Sequence, residues 1–170
     1  MLERNPSSFT PFPNNSYLFL GPDKKRTFKS IAKFSKKDAI AFQKYEEMLE
    51  RVAKFIEPTI DNEAISPMTK KIMELFKLAH LGIKFKSLGT DMAEAVRILT
   101  APAKVILDEW FESEELKVTL ATDSIIGAMA APSSPGTSYV LFHHVMGECN
   151  GKKGIWGYVR GGMGGLTKAI

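Results

Sequence analysis

Apolar residues recur with helical spacing over a long stretch in the first half of the chain. Ser35 suits the position before the first helical residue, with Asp38 three residues later, and Pro58 interrupts the pattern. The sequence therefore predicts a helix over residues 36–57 that buries one face. The apolar positions on that face are Phe42, Tyr45, Leu49, Val52 and Ile56.

The next apolar pattern predicts a second helix, over residues 66–89, with Ser66 as cap and Pro67 in its first turn. Lys70, Lys77 and Lys84 recur along one side of this helix. One interpretation is a helix packed in the core with a solvated lysine row. The other is peripheral membrane contact through these three lysines, because a surface that is both cationic and apolar favours anionic interfaces. The apolar face comprises Met68, Ile72, Leu75, Phe76, Ala79 and Ile83.

Shorter patterns predict helices over residues 90–98, 102–110, 113–129 and 137–147. Thr90 and Ser113 are suitable caps, each followed by acidic residues in the first turn. Thr122, Asp123 and Ser124 form a polar interruption within the third of these helices.

The N-terminal segment has strand and turn signals instead. Residues 5–27 are expected to be extended, and a turn at Gly21-Pro22-Asp23 predicts a hairpin. Two strands alone are only marginally stable, so this hairpin is expected to need a sheet to join.

Glycines dominate the C-terminal segment. A short aromatic and apolar run leads into Gly161 and Gly162 and then into Leu166, which is the pattern of a strand, a tight turn and a helix. At least one of these two glycines is expected to have a positive φ or to pack closely on backbone. The free N–H groups of the following helix suit an anionic or planar ligand. Ordinary turn chemistry is the alternative, because the spacing is not G-x-G-x-x-G.

Composition excludes some classes of protein. The chain has 170 residues, enough for one domain with a core, and a net charge of +4 with its basic residues interleaved with acids. No nucleic-acid motif accompanies them, so no nucleic-acid partner is expected. Cys149 is the one cysteine, which excludes a dithiol mechanism within the chain. No apolar run reaches the roughly 18 residues of a membrane span, and no targeting segment is recognisable.

Candidate catalytic groups are few. His143 and His144 are adjacent, so on a helix their side chains diverge by about 100° and do not form a metal-binding pair. Packing or ordinary hydrogen bonding is expected for both and for His80. Asp108 and Glu109 are acids of a kind common near helix ends. The sequence therefore predicts no metal site, and it identifies no catalytic residue.

The C-terminal run from Trp156 to Gly164 resembles the W-x-Y-x-x-G-G-M-G run of flavoprotein oxidoreductases of the phytoene-dehydrogenase-related family. Further resemblance to this family runs in order along nearly the whole chain. It is carried by Arg4-Asn5-Pro6, Ser8-Phe9-Thr10-Pro11, Phe34-Ser35-Lys36-Lys37-Asp38-Ala39, Lys44-Tyr45-Glu46-Glu47, Leu99-Thr100-Ala101-Pro102, Trp110-Phe111-Glu112-Ser113-Glu114, Leu120-Ala121-Thr122-Asp123, Ile126-Gly127-Ala128-Met129 and Leu141-Phe142-His143-His144-Val145-Met146-Gly147.

The resemblance implies a mainly α fold with a few short strands, equivalent to the helical substrate-side region of a FAD/NAD(P)-binding α/β flavoprotein. Residues 1–30 would be an extended segment and hairpin, residues 31–150 the helical substrate-side region, and residues 151–170 the return towards the FAD-binding domain. The family transfers hydride between an organic, apolar substrate and FAD. The resemblance places Gly161, Gly162 and Met163 near the flavin, and Trp156 and Tyr158 facing the substrate cavity.

Members of this family are more than twice as long as this chain and begin with a G-x-G-x-x-G turn that holds the FAD diphosphate. The chain lacks that turn, so it is expected to be a fragment or a shortened product without activity of its own. The resemblance also implies a mitochondrial, matrix location. The alternative is a helical protein-interaction or membrane-interaction module that acts without flavin.

Overall fold

Helices make up most of the structure, a computed structural model that describes residues 1–60, 64–87, 89 and 91–170. The mainly α fold with a few short strands is confirmed. The helices are α1 (Lys24–Ile31), α2 (Lys36–Ile60), α3 (Ile72–Ser87), α4 (Asp91–Thr100), α5 (Ala103–Trp110), α6 (Glu114–Ala121), α7 (Thr137–His143) and α8 (Gly162–Ala169). The strands are β1 (Leu2–Glu3), β2 (Ser8–Pro11), β3 (Tyr17–Leu20), β4 (Glu148–Cys149), β5 (Lys152–Lys153) and β6 (Gly157–Tyr158).

The core is organised along α2. All five residues of its predicted apolar face are buried, together with apolar residues of α4, α5, α6 and α7. The backbone N–H of Asp38 donates to Oγ of Ser35 at 3.0 Å, which confirms the predicted start. The helix ends at Ile60 rather than at residue 57. A proline near the end of a helix removes one backbone donor, and this helix continues past Pro58 because its packed face stabilises it.

A hairpin is present, but the predicted turn is wrong: the chain reverses between β2 and β3, over residues 12–16, and not at Gly21-Pro22-Asp23. β2 pairs antiparallel with β3 in the register Ser8↔Leu20. The expectation of extended chain through residue 27 is wrong, because α1 begins at Lys24. The carboxylate of Asp23 accepts hydrogen bonds from the N–H groups of Lys25 and Arg26, at 3.0 and 3.1 Å, so the turn residue is a helix cap.

The hairpin packs on a helix rather than joining a larger sheet. The N–H of Phe19 donates to Oγ of Ser30 at 2.9 Å, and the N–H of Gly21 donates to Oγ1 of Thr27 at 3.1 Å. Leu18 and Ile31 are fully buried. Side chains of α1 thus satisfy backbone donors at the edge of β3, and the predicted need for further strands was wrong.

The two helices predicted over residues 113–129 and 137–147 are shorter than expected. α6 ends at Ala121 and α7 at His143, and each continues as a single turn of 3₁₀ helix, Thr122–Ile125 and His144–Met146. In the first of these turns Oγ1 of Thr122 donates to the carbonyl of Thr119, and Oγ of Ser124 donates to the carbonyl of Ala121, both at 2.7 Å. These hydroxyls compete for helix carbonyls, which explains the early end. Thr90, a predicted cap, lies outside the described residues.

The helix predicted over residues 66–89 begins later, at Ile72. Oγ of Ser66 accepts from the N–H of Met68 at 3.3 Å in a separate turn, and Oγ1 of Thr69 accepts from the N–H of Lys71 at 3.2 Å just before the helix. Lys70 therefore precedes the helix rather than lying on it. The core-packed interpretation is also wrong, because Ile72, Phe76 and Ile83 are each 69% exposed, so α3 turns apolar side chains towards solvent.

The predicted strand, turn and helix at the C-terminus are confirmed as β6, a glycine turn and α8. β6 pairs antiparallel with β1, at the opposite end of the chain, in the register Leu2↔Tyr158. The N–H of Arg4 extends this contact by donating to the carbonyl of Trp156 at 2.7 Å. The N-terminal strand β1 and the strand β6 before the glycine turn therefore meet beside the candidate site.

Candidate functional site

A cavity of about 450 Å³ lies between α2, the hairpin, the two 3₁₀ turns and the loop before β6. Its volume falls within the range of small-molecule sites. Apolar side chains form much of its wall, and several ionisable groups of both signs line it as well. The apolar lining includes Leu20, Phe42, Leu49, Leu141, Ile155 and Trp156, and the polar lining includes Arg4, Lys24, Tyr45, Glu46, Asp123 and His144.

The pairing of the chain ends builds one side of this cavity. β1 and β6 bring Arg4 and Trp156 together, and Lys152 of β5 forms an ion pair with Glu3 at 2.9 Å. The hydrogen bond from Lys152 is the main cause that lowers the pKa of Glu3. Since both partners are partly exposed, this pair fixes the orientation of the two ends more than it stabilises the fold.

His144 connects Trp156, which lines the cavity, to the 3₁₀ turn that follows α6. The ring of Trp156 packs on the ring of His144, with the centroids 5.0 Å apart. Nε2 of His144 lies 3.0 Å from the carbonyl oxygen of Asp123, within hydrogen-bond distance. The structure thus confirms that His144 has an ordinary hydrogen-bonding role, and it adds that this role orients an aromatic side chain of the cavity.

Tyr45 supplies a buried polar group to the lining. Its side chain is 3% exposed and packs against the rings of Trp110 and Phe111, at centroid distances of 5.5 and 5.2 Å. Its hydroxyl has no hydrogen-bond partner among the described residues. Burial, followed by the nearby charge of Asp123, raises the pKa of Tyr45, so the hydroxyl keeps its proton. A buried hydroxyl without a partner is costly to the fold, and a ligand oxygen or nitrogen would relieve that cost.

Two carboxyl groups of the lining also hold their protons more firmly than usual. Burial raises the pKa of Asp123, while His144 and Arg4 oppose the shift. Burial likewise raises the pKa of Glu46, with Lys24 opposing and Glu50 adding to the shift. Carboxyl groups with raised pKa values in a cavity are suited to exchange protons with a ligand.

Asp123→Asn is expected to raise the free energy of unfolding at neutral pH and to flatten its pH dependence. Because burial raises the pKa of Asp123, the folded protein keeps a proton over a pH interval in which the unfolded chain has released it. The free energy of unfolding therefore falls as the pH rises through that interval, and the loss persists at higher pH. Urea unfolding of both proteins across the acid to neutral range measures this effect.

Asp108→Asn is the matched control, with the opposite sign. Hydrogen bonds from Lys104 and Lys117 lower the pKa of Asp108, so its contribution is present at neutral pH and is lost as the pH falls. An Asp123→Asn protein with the pH profile of the parent, or with lower stability at neutral pH, would contradict the burial of this carboxyl.

The glycine turn meets the prediction made for it. Gly161 and Gly162 have φ values of +86° and +66°, in the left-handed region that favours glycine. Gly165 adds a feature that the sequence did not indicate, since a Cβ there would lie 2.3 Å from the carbonyl oxygen of Arg160. A Cβ at Gly164 would meet no atom within 4 Å. The turn therefore depends on glycine at three positions and tolerates a side chain at a fourth.

The structure separates the residues that the sequence grouped as a site. Trp156 lines the cavity, whereas Tyr158, 58% exposed in β6, is not among the lining residues described. Gly161, Gly162 and Met163 also lie outside that lining, and Met163 is 74% exposed. Their roles towards a substrate or a flavin remain predictions.

Sequence reasoning missed the main polar lining of the cavity. The sequence places Tyr45 only on the apolar face of α2, and Asp123 only in a polar interruption. The sequence signals that could have indicated these roles are the hydroxyl of Tyr45 within an apolar stripe and the carboxyl of Asp123 within an apolar run. Neither signal identifies a cavity by itself, because the two residues meet only after α2 and the turn following α6 pack together.

The described residues show neither a cluster of metal ligands nor a membrane-spanning helix. They contain no group of three or more His, Cys, Asp or Glu side chains that could hold a metal ion. The predicted divergence of the two adjacent histidines is wrong, because the rings of His143 and His144 pack edge-on with their centroids 5.1 Å apart. None of the helices in the described ranges is both long and apolar enough to cross a membrane.

The chain is similar to known proteins over nearly its whole length. It is 43% identical to the Rattus norvegicus protein named pyridine nucleotide-disulfide oxidoreductase domain-containing protein 2, and 41% identical to the Mus musculus protein of that name. Each match covers 98% of this chain and 31% of the relative, so the chain spans about a third of their length. No protein-family model matches the chain, and neither does any solved structure. The chain is therefore homologous to part of proteins whose names indicate a pyridine nucleotide-disulfide oxidoreductase family.

Proposed function

We propose that the chain forms the helical substrate-side region of an FAD-dependent oxidoreductase, which transfers hydride between an organic, apolar substrate and the flavin. The observation that carries this proposal is the order of three features in one continuous segment. Trp156 lines the cavity, β6 follows Trp156 in the chain, and the glycine turn at Gly161 and Gly162 comes shortly after β6. In a chain homologous to part of oxidoreductase-family proteins, this continuity supports a substrate cavity beside a cofactor-binding turn.

The glycine turn fits the flavin end of FAD. Left-handed backbone at Gly161 and Gly162 carries no Cβ, and the positions of a Cβ at Gly162 and Gly164 meet no atom within 4 Å. Open backbone of this kind admits a flat ring and presents N–H groups at the start of α8. The sequence contains no G-x-G-x-x-G turn, so the diphosphate of FAD would have to be held by residues other than these 170.

The cavity residues suit an organic substrate that loses or gains a proton together with a hydride. FAD, when bound, supplies the hydride acceptor. Apolar side chains such as Leu49, Leu141 and Trp156 would surround the substrate body and exclude water. The carboxyl group of Asp123 would hold the proton that the substrate releases, and the hydroxyl of Tyr45 would donate a hydrogen bond to a polar atom of the substrate. The chain alone would be inactive, because it lacks a site for the diphosphate.

The cofactor part of the proposal is tested in a hybrid protein, in which this chain replaces the matching third of the rat relative. The parent hybrid and its Gly164→Ala variant are expected to carry flavin, while Gly165→Ala loses at least about nine tenths of it. The reason is steric: the new Cβ at Gly165 would collide with backbone, whereas the Cβ at Gly164 enters open space. Visible flavin absorbance relative to protein absorbance measures the effect, and circular dichroism confirms that helical content is kept.

Two results would overturn the proposal. One is a rat relative that purifies without flavin under native conditions. The other is a Gly165→Ala hybrid with full flavin content, which would show that the glycine turn only connects β6 to α8 and does not bind the flavin. Stoichiometric FAD on the 170-residue chain alone would contradict the narrower statement that this part is inactive without the rest.

A further inference from the structure

Helix α3 presents an apolar stripe to solvent. Ile72, Phe76, Ala79 and Ile83 follow one another at intervals that place them on a single face about 16 Å long. The three large members are each 69% exposed. This set of four residues is called the α3 stripe below. Apolar residues scattered singly on a surface are normal, but a continuous stripe on one helix indicates a binding surface.

The opposite side of α3 holds the helix on the body of the protein. The ring of Phe85 packs edge-on against Phe55 of α2, with centroids 4.6 Å apart. Leu78 and Leu81 are half-buried on the same side as Phe85. Since the contact with α2 uses this side, the α3 stripe points away from the core, and no described residue covers it.

The charged residues that α3 itself places beside the α3 stripe are positive. Lys77 and Lys84 border it on one side and Lys86 on the other, and all three are exposed. Glu74 is the one acid in the α3 sequence, and it lies on the side towards the body, where it pairs with Lys71 at 3.0 Å. An apolar stripe between cationic borders is the arrangement by which helices lie in anionic lipid interfaces.

This charge pattern also discriminates between occupants. If two copies of the chain paired through α3, their lysine borders would be brought together, and like charges at an interface disfavour association. In an anionic lipid surface, the acyl chains would bury the α3 stripe, and the negative headgroups would attract the lysines on both sides of it. We propose that the α3 stripe docks on an anionic lipid surface, with Lys77 and Lys86 contacting the headgroups.

The test is co-sedimentation of the 170-residue protein with vesicles of phosphatidylcholine, with and without phosphatidylserine. Binding is expected only to the vesicles that contain phosphatidylserine, and it is expected to weaken in high salt. Lys77→Glu should weaken it by more than about fivefold, because each lysine near an anionic surface contributes about that factor. Phe76→Ser should weaken it by about tenfold through lost apolar burial.

Two matched variants control for general charge and hydrophobicity. Lys36→Glu changes the net charge by the same amount at an exposed position of α2, and Met129→Ser removes a fully exposed apolar side chain outside α3. Both are expected to bind as the parent does. Because all four positions are exposed, circular dichroism should show an unchanged fold.

Several results would overturn the proposal. Equal binding to vesicles without phosphatidylserine, no binding to either kind, or equal losses in the control variants would each exclude specific docking through α3. Self-association that Phe76→Ser abolishes, seen by light scattering without vesicles, would assign the stripe to a second copy. Loss of vesicle binding in the hybrid with the rat relative would show that the rest of that protein covers the α3 stripe. None of these outcomes depends on flavin, so they are independent of the proposed hydride transfer.

Discussion

Replacing Asp38 with alanine is expected to lower the free energy of unfolding by about 3 kcal/mol, because a buried carboxylate that satisfies several donors is removed. Asp38 is fully buried in α2. Its two oxygens accept hydrogen bonds from the N–H of Glu112 at 3.0 Å and the N–H of Ser113 at 2.8 Å, and the hydroxyl of Ser113 also donates to it. Without Asp38, donors at the start of α6 would be left unpaired.

Ser113 occupies the N-cap position of α6 that the sequence predicted, with acidic residues in the first turn. Its side chain makes no capping bond within α6, because its hydroxyl is directed to Asp38. Asp38 therefore joins α2 to the segment between α5 and α6. Loss of this contact affects the packing of three helices and not only the end of one, which supports an effect at the upper end of those seen for single hydrogen bonds.

Lys37→Ala is the control for Asp38→Ala. Lys37 is the preceding residue, and its side chain is 77% exposed in an ion pair with Glu112 at 3.1 Å. An exposed pair of this kind contributes little to stability, so the loss for Lys37→Ala is expected to be much smaller than that for Asp38→Ala. Urea unfolding followed by circular dichroism measures both variants. Equal, small losses for the two would show that Asp38 does not hold the α6 segment in solution.

Phe142→Ala is expected to lower the free energy of unfolding by about 4 kcal/mol, through lost apolar burial and the cavity left behind. Phe142 lies in α7 and is fully buried in the core. Its neighbour Leu141 lines the functional cavity, so the variant should also loosen one wall of that cavity. The same urea experiment measures the loss of stability, and a chain that no longer folds at all would agree with the expected direction.

Tyr139→Ala is the matched control on the same helix. Tyr139 is an aromatic residue of α7 that is 41% exposed, so its removal creates little internal space. Its cost is expected to be under about 1 kcal/mol, in the range of surface substitutions. If Tyr139→Ala costs as much as Phe142→Ala, the packing of α7 differs from that in the structure.

Local signals in the sequence determined most of the helical architecture. The stripe of α2 predicted both its start at Ser35 and its buried face, since a helix cap and a helical period depend on residues within a few positions of one another. The glycine turn was predictable for the same reason, because a left-handed φ at Gly161 and Gly162 is a property of single residues. The mainly α class and the relationship to oxidoreductase-family proteins also followed from the sequence.

Tertiary contacts decided what the local patterns could not. An apolar stripe has the same appearance whether it faces the core or solvent, so the sequence did not reveal that α3 turns Phe76 outward. The cavity depends on the meeting of Tyr45, Asp123 and Trp156 from distant parts of the chain, and on the pairing of β1 with β6. Such contacts arise from packing between elements rather than from spacing along the chain. For that reason the sequence by itself determined the elements and the glycine turn. Only the tertiary structure formed the cavity, which is lined by Trp156, by other apolar side chains and by carboxyl groups with raised pKa values.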